Sequence, residues 1–177
     1  MIGMRSRALA GIAVPFVLCA AASAAAQSLP STQVGSVRPE DIRFEPFAAF
    51  PQGAKIAKVV GNPAQQAPYV VRVKVGAGVK LMPHTHPEDR VYTVISGVFY
   101  IGFGKTFDAG KLQPFGPGSV IILPHDTPHF HWAMSGEYVT QVTGTGPLGI
   151  EYVDNNDDPR NNMNKPAQSI SPHAERP

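Results

Sequence analysis

The sequence predicts an all-β domain, built either as a sandwich or as a barrel. After an apolar leader, the chain divides into short runs rich in β-branched and aromatic residues. Glycine and proline separate these runs, as at Gly61-Asn62-Pro63. No stretch after the leader shows the apolar period of an amphipathic helix. Many short strands at regular spacing are typical of β-sandwiches and β-barrels.

The segment 69–75 shows the strand pattern most clearly. Its valines occupy alternate positions and are separated by Arg72 and Lys74. Successive side chains of a strand point to opposite faces, so we expect the valines to face the core and the two cations to face outward. The same reasoning predicts further strands at Ile56–Val60, Arg90–Ile95, Val98–Phe103, Val120–Leu123, His129–Ala133, Tyr138–Thr143 and Gly149–Val153.

Residues 1–26 have the features of a secretory signal peptide. Two arginines precede an apolar stretch over residues 8–22, and small residues end the segment at Ala26. The stretch is shorter than the roughly 20 residues that a membrane-spanning helix needs. We expect cleavage before Gln27, which would leave a periplasmic or secreted protein without a membrane anchor. An uncleaved anchor is the alternative.

Cleavage would leave a mature chain without cysteine and without formal net charge. The full sequence carries 15 Lys+Arg and 13 Asp+Glu, and its one cysteine is Cys19 in the leader. Removing the two leader arginines makes the charges equal. The mature chain therefore has no thiolate for catalysis or disulfide formation, and no excess of basic residues to bind nucleic acid or an anionic membrane.

The composition divides the mature chain into three regions. Residues 27–50 are rich in proline, serine and small side chains, and we expect an irregular arm. Residues 51–154 contain the predicted strands and form the domain. Residues 155–177 are rich in Asn, Asp, Pro and Ser. Such a segment cannot bury enough apolar surface to order itself, so we expect a disordered tail.

Two histidine clusters indicate a metal site. The first contains His84 and His86, and the second contains His129 and His131. Residues two apart in a strand share a face, so His84 and His86 can project into one cavity. His129 can join them there if the strands curl into a barrel. Three neutral imidazoles form a site for a divalent transition metal, although three unrelated histidines are the alternative.

The two clusters resemble the two sequence motifs of the cupins. The positions that fall in register with those motifs are Gly78, His84, His86 and Gly97 in the first, and Gly118, Pro124 and His129 in the second. The resemblance covers residues 51–154. It implies a double-stranded β-helix (jelly-roll) barrel that holds one divalent metal in its mouth, with Fe, Mn, Cu, Ni and Zn all open. It also implies a homodimer.

The chain departs from the cupin pattern at three positions. Arg90 stands where the family has a glutamate ligand, Asp126 replaces a glycine, and Ala133 replaces an asparagine. The four-ligand site of the family is therefore not supported as written. A site of three histidines is similar to that of the cupin-like thiol and diketone dioxygenases. Glu88 could supply the missing carboxylate if the strand continues through Pro87.

Arg90 has two interpretations. A metal ion with three neutral ligands and a nearby guanidinium would favour an anionic substrate, so Arg90 could clamp a carboxylate and take part in catalysis. Alternatively, Arg90 leans out of the barrel mouth and pairs with Glu88 or Asp89.

His131 shares the face of His129 by alternation. It could be a fourth metal ligand, a general base that moves protons, or a histidine hydrogen-bonded within the core. Tyr92 and Gln141 are candidates to bind substrate by hydrogen bonds, or they could simply fill the barrel.

These observations predict an exported, metal-dependent oxidoreductase of the dioxygenase type that acts on a small anionic organic substrate. A related hypothesis keeps the metal as a Lewis acid in a lyase or isomerase. A third hypothesis is a non-catalytic cupin module that binds a small ligand, a sugar or a metal. We expect neither nucleic acid nor a membrane among the partners of the mature protein.

Overall fold

The computed structural model describes residues 35–162. The predicted signal peptide and residues 163–177 of the predicted tail lie outside this range. The described chain is almost entirely β-structure. Its strands are β1 (Glu45–Pro46), β2 (Ala54–Val60), β3 (Pro68–Val75), β4 (Lys80–Thr85), β5 (Arg90–Ser96), β6 (Phe99–Phe103), β7 (Gln113–Phe115), β8 (Val120–Leu123), β9 (His129–Trp132), β10 (Tyr138–Thr145) and β11 (Glu151–Tyr152).

The strands form two antiparallel sheets that enclose one main core. Sheet A has the order β1-β2-β3-β10-β5-β8, and sheet B has the order β11-β4-β9-β6-β7. Most neighbours within a sheet are distant in sequence, as in a jelly roll. Side chains from both sheets meet in the core, and the largest fully buried hydrophobic ones are Tyr69, Tyr138, Phe99, Phe130, Leu81 and Ile101. The all-β prediction is confirmed.

Strand β3 shows how the sequence pattern becomes structure. Val71 and Val75 are completely buried, whereas Arg72 and Lys74 are partly exposed on the other face. The strand is hydrogen-bonded to β2 on one side and to β10 on the other. It is therefore a central strand, held along both edges.

The described part of the arm has little regular structure but is packed on the barrel. Its strand β1 pairs with β2, and Phe47 and Phe50 pack against the core. The hydroxyl of Tyr152 donates a hydrogen bond of 2.9 Å to the carbonyl of Ala49. These contacts tie the arm across the side of the barrel where β2 and β11 lie.

Ordered structure continues beyond residue 154, where the sequence analysis places the start of a disordered tail. A 3-10 turn over Asn155–Asp157 leads into a short helix, α1 (Pro159–Asn162). The guanidinium of Arg160 binds the carboxylate of Asp158 at 2.7 Å and donates to the carbonyl of Ile150 at 3.1 Å. These polar contacts, rather than apolar burial, hold the segment, which is why a composition argument misses them. No helix within residues 35–162 has the length and hydropathy to cross a membrane.

The glycine of the first motif has a clear structural role. Gly97 adopts a φ of 71° between β5 and β6, a backbone conformation that L side chains rarely adopt. A Cβ atom at this position would collide with the carbonyl oxygen of Glu137. Gly97 thus allows the tight connection between the two sheets that the barrel requires.

Candidate metal centre

Neighbouring strands of sheet B bring the predicted histidines together. His84 on β4 lies opposite His129 on β9 in the strand register, and His86 follows directly after β4. All three rings point inward, and their residues are only 0 to 4% exposed. Their candidate donor atoms all lie within 4.8 Å of one another. Within residues 35–162, these three form the group of side chains that could hold a metal ion.

The main chain fixes the orientation of each ring. Each Nδ1 lies within hydrogen-bonding distance of a backbone carbonyl oxygen: Met82 for His84 at 2.7 Å, Gly149 for His86 at 2.6 Å, and Thr127 for His129 at 2.9 Å. A carbonyl can only accept, so each Nδ1 must carry the hydrogen. Each Nε2 is then left with a lone pair, which is the arrangement that metal-binding histidines use.

Burial keeps these imidazoles neutral. It lowers the pKa of His84 to about 4, and it lowers the pKa values of His86 and His129 well below the usual value for histidine. The Nε2 atom of His129 is buried and has no hydrogen-bond partner. An unpartnered lone pair beside two others is the chemistry that a transition metal would satisfy, so the donor set fits the metal that the sequence predicts.

His131 lies next to this group but is not part of it. Its ring packs edge-on against Phe99, with ring centres 4.8 Å apart, and its Nδ1 lies 3.4 Å from the hydroxyl of Tyr138. The Nε2 atom is buried without a partner. Burial lowers its pKa well below the usual value. The contact with Tyr138 gives His131 a core hydrogen bond, and its Nε2 is left without a partner beside the cavity.

Arg90 is buried beside the site and pairs with Glu88. The guanidinium residue is 6% exposed, and its Nη2 donates to Oε1 of Glu88 and, at 3.3 Å, to the carbonyl of Gly149. Glu88 also accepts from the hydroxyl of Tyr69 at 2.8 Å. The sequence analysis leaves two interpretations of Arg90 open, an inward clamp for a carboxylate and an outward pair with Glu88 or Asp89. The structure combines a buried Arg90 with the Glu88 pair. Strand β5 begins at Arg90, and the Arg90 side chain lines the cavity.

This pairing has two consequences for the site. The carboxylate of Glu88 is occupied by Arg90, Tyr69 and the backbone N–H of Gly149, so it does not join the metal-binding group. It also balances the positive charge of Arg90. Only the Nε of Arg90 remains buried without a partner. The exposed Asp89 makes a separate contact at the rim, with His125 at 2.8 Å.

Tyr92 lies within the site, as the sequence analysis suggests. Its hydroxyl is 3.3 Å from Nε2 of His86, and its side chain lines the same cavity as Arg90. Burial raises the pKa of Tyr92, and the nearby Arg90 guanidinium partly opposes that rise. The phenol therefore stays protonated and can donate a hydrogen bond toward the histidines.

Gln141 does not line the cavity. Its neighbours Thr140 and Val142 on β10 do, so Gln141 points to the opposite face. There its side-chain oxygen accepts from Nε of Arg72 at 3.4 Å. Both faces of β10 carry apolar and polar residues, so the sequence alone does not determine which set faces inward.

Strands from both sheets line the cavity, which measures about 20 Å³. Residues that the sequence analysis does not place there include Phe50, Tyr138 and Thr140. Phe50 comes from the arm, for which no strand alternation exists. Tyr138 and Thr140 lie on β10, whose inward face the sequence does not determine.

The departure from the cupin pattern at Asp126 preserves the local backbone. Asp126 has a φ of 55°, in the left-handed region. Glycine adopts this conformation most readily, and aspartate tolerates it better than most other residues. Its backbone N–H donates to the carbonyl of His86 at 2.8 Å. This bond ties the turn before His129 to the segment that carries His86.

Comparison with known proteins finds similarity in structure alone. No protein-family model matches the sequence, and no curated protein matches it. The polyketide cyclase RemF from Streptomyces resistomycificus superposes with a TM-score of 0.61 at 18% identity, over 76% of this chain and 95% of RemF. An RmlC-like cupin protein from Ralstonia eutropha JMP134 gives 0.53 at 20% identity, over 71% of this chain and 76% of that protein.

A third structure leads to the same conclusion. A cupin-2 domain from Rhodospirillum rubrum has a TM-score of 0.52 at 11% identity, covering 71% of this chain and 83% of the domain. Structural similarity at such low sequence identity establishes the fold and leaves the activity open. With its two facing antiparallel sheets and its inward-pointing histidines, this chain has the double-stranded β-helix fold of the cupins.

Proposed function

We propose that this protein is a metal-dependent enzyme of the dioxygenase type that acts on a small organic substrate. The observation that carries the proposal is the convergence of three unprotonated Nε2 atoms, from His84, His86 and His129, in a buried cavity. A redox-active metal bound there would supply oxidation by dioxygen. A purely structural barrel has no need to bury three imidazole lone pairs side by side.

The remaining polar groups suit substrate orientation and proton transfer. Arg90 and Tyr92 line the cavity and offer N–H and O–H donors, which fit an oxygen-bearing substrate such as a carboxylate or an enolate. Glu88 balances Arg90, so binding an anion would draw on the free Nε donor and on the metal more than on excess positive charge. His131 has an unpartnered Nε2 and is our candidate general base.

A second candidate function is non-redox chemistry, such as cyclisation or elimination, in which the metal acts as a Lewis acid. The observation that favours it is the Tyr92 hydroxyl beside His86, since a phenol close to the ligands can donate or accept a proton. The similar structure of RemF, a polyketide cyclase, agrees with this alternative. Dioxygen uptake during turnover distinguishes the two: only the oxidoreductase consumes it.

We also infer export and homodimer formation. Export is based on the leader at residues 1–26. The dimer is supported by apolar side chains on the outer face of β8, where Val120 is 59% and Ile122 is 77% exposed. An Ile122→Glu variant should be monomeric in light scattering, whereas a wild-type protein that is already monomeric would contradict this inference.

Elemental analysis tests the proposed function. Untagged protein, purified from the compartment in which it resides, is compared with a His84→Ala variant of confirmed fold. About one redox-active metal per chain, lost in the variant, would support the dioxygenase-type proposal. Stoichiometric zinc would favour the Lewis-acid alternative. A folded protein that contains no metal and takes none up would contradict both and would leave a ligand-binding barrel.

A further inference from the structure

The metal cavity is closed to a substrate in this conformation. His84 is 1%, His86 4% and Arg90 6% exposed, and Tyr92 is equally buried. A molecule larger than water cannot reach the three Nε2 atoms past such side chains. At least one residue of the cavity wall must therefore move before a substrate enters.

Two residues of the cavity wall are only half-buried, Phe50 and Val73. Val73 is paired with Ile56 on β2 and with Thr140 on β10, so moving it would break the centre of sheet A. Phe50 lies in the arm between β1 and β2 and belongs to no strand. Of the two, Phe50 is the residue that can move without disrupting a sheet.

Phe50 separates the metal cavity from a second space. A groove of about 580 Å³ lies between the arm and the start of α1. Its walls are mostly apolar, and they also include Gln52 and Asp157. Phe50 lines both spaces, so one aromatic side chain stands between this groove and a cavity lined by His84, His86 and His131.

The ring of Phe50 packs against the core, but the hydrogen bonds that hold its backbone are few and local. Its backbone N–H donates to the carbonyl of Phe47 at 2.8 Å, and the two rings meet edge to face at 5.0 Å. The neighbouring Ala49 is held by Tyr152, and β1 contributes only two paired residues. Segments with so few hydrogen bonds open at a lower free energy than central strands do.

We propose that the groove under the arm is the entrance to the metal cavity and that Phe50 closes it. The side chain at position 50 then determines the size of the molecules that reach the histidines. Because phenylalanine and proline supply most of the groove, with Gln52 and Asp157 among its polar residues, it suits compounds with an apolar body and a polar end. The nature of the substrate depends on the function proposed above, whereas closure by Phe50 is a property of the metal-free protein as well.

Chemical modification of histidine tests this proposal without relying on metal or activity. Diethyl pyrocarbonate modifies neutral imidazole nitrogens, and mass spectrometry locates each modified residue. The exposed His125 serves as an internal reference in the metal-free mature protein, since its side chain is 61% exposed. The variants are Phe50→Ala and the milder Phe50→Leu. Phe115→Ala is the matched control, because Phe115 is also half-buried against the core but lines neither space.

We expect Phe50→Ala to speed the modification of His84 and His86, which line the cavity, at least about tenfold relative to His125, with Phe50→Leu in between. Phe115→Ala should stay within about twofold of wild type. Equal rates in the position-50 variants and wild type, or equal acceleration by Phe115→Ala, would overturn the proposal. Adding zinc then tests the metal separately: a failure to protect the histidines counts against the proposed function and leaves the result on Phe50 intact.

Discussion

The two walls of the cavity are built in different ways. On the histidine wall, backbone carbonyls hold His84, His86 and His129 in orientation. On the opposite wall, Arg90 is held chiefly by another side chain, Glu88, which in turn contacts Tyr69. The histidine wall thus depends on the path of the main chain, and the arginine wall on a chain of side-chain partners.

This difference indicates which wall tolerates change. Substituting a neighbour of a histidine leaves its carbonyl partner in place, so the geometry of the three Nε2 atoms should be robust. Substituting one member of the arginine wall removes a partner from a buried charge, which is costly. The histidine wall should therefore withstand substitutions of its neighbours, whereas the arginine wall can change at low cost only when both partners of the ion pair change together.

The largest loss of stability is expected from a substitution on the arginine wall. Glu88→Gln leaves the buried Arg90 guanidinium without its counter-ion, so we expect a loss of about 3–5 kcal/mol in the free energy of unfolding. Urea denaturation measures it, and Asp89→Asn at the exposed rim is the control. Adding Arg90→Met to Glu88→Gln removes the unpaired charge and should recover part of the stability, since the glutamine can still accept from Tyr69. A Glu88→Gln variant as stable as wild type would show that the pair is not enclosed.

The histidine wall should instead be sensitive to acid. Burial lowers the pKa of His84 from 6.5 to about 4, so the unfolded chain binds a proton that the folded chain does not bind. The metal-free protein must then lose stability as pH falls below 6.5, by about 2 kcal/mol down to pH 5 from His84 alone.

Urea denaturation of metal-free protein at several pH values measures this loss. His86 and His129 should add to it, since burial lowers their pKa values as well. A stability that stays constant between neutral pH and pH 5 would mean that the imidazoles are not desolvated as the structure indicates.

A smaller loss of stability is expected from a substitution where the arm meets the histidine wall. Tyr152→Phe removes the hydrogen bond to the Ala49 carbonyl while keeping the ring beside His84, and should cost about 1 kcal/mol. The same variant should also speed the modification of the buried histidines. Tyr100→Phe, at a half-exposed tyrosine, is the control. If Tyr152→Phe and Tyr100→Phe have the same free energy of unfolding and the same rate of histidine modification, the Tyr152–Ala49 contact does not anchor the arm.

The smallest effect concerns His125, which lies outside both walls. Hydrogen bonding to Asp89 raises the pKa of His125, the opposite direction to the buried histidines. Its contribution to stability is therefore complete below the ordinary histidine pKa and is lost as pH rises through the folded value. NMR titration should show the pKa of His125 falling in Asp89→Asn. An unchanged value would contradict the contact.

Strand alternation in the sequence predicts that His84 and His86 share a face, and closure of the strands into a barrel is the further condition that brings His129 to them. The depth of Arg90 does not follow from the sequence, since pairing with Glu88 is equally possible outside the mouth. Gln141 is misplaced because β10 has mixed residues on both faces. The sequence does not identify Phe50 as a cavity residue, because its position depends on how an irregular segment folds back across strands that are distant in sequence.

Gly149 is a point at which the two walls meet. Its carbonyl accepts from both His86 and Arg90, and its N–H donates to Glu88. A displacement of Gly149 would therefore alter the hydrogen bonds of His86, Arg90 and Glu88 together. If the histidines hold a metal and Arg90 binds an anion, as proposed, any coupling that Gly149 transmits between the two would be reciprocal, with each changing the affinity for the other by the same factor. One residue of the main chain would then make occupancy of one wall depend on occupancy of the other.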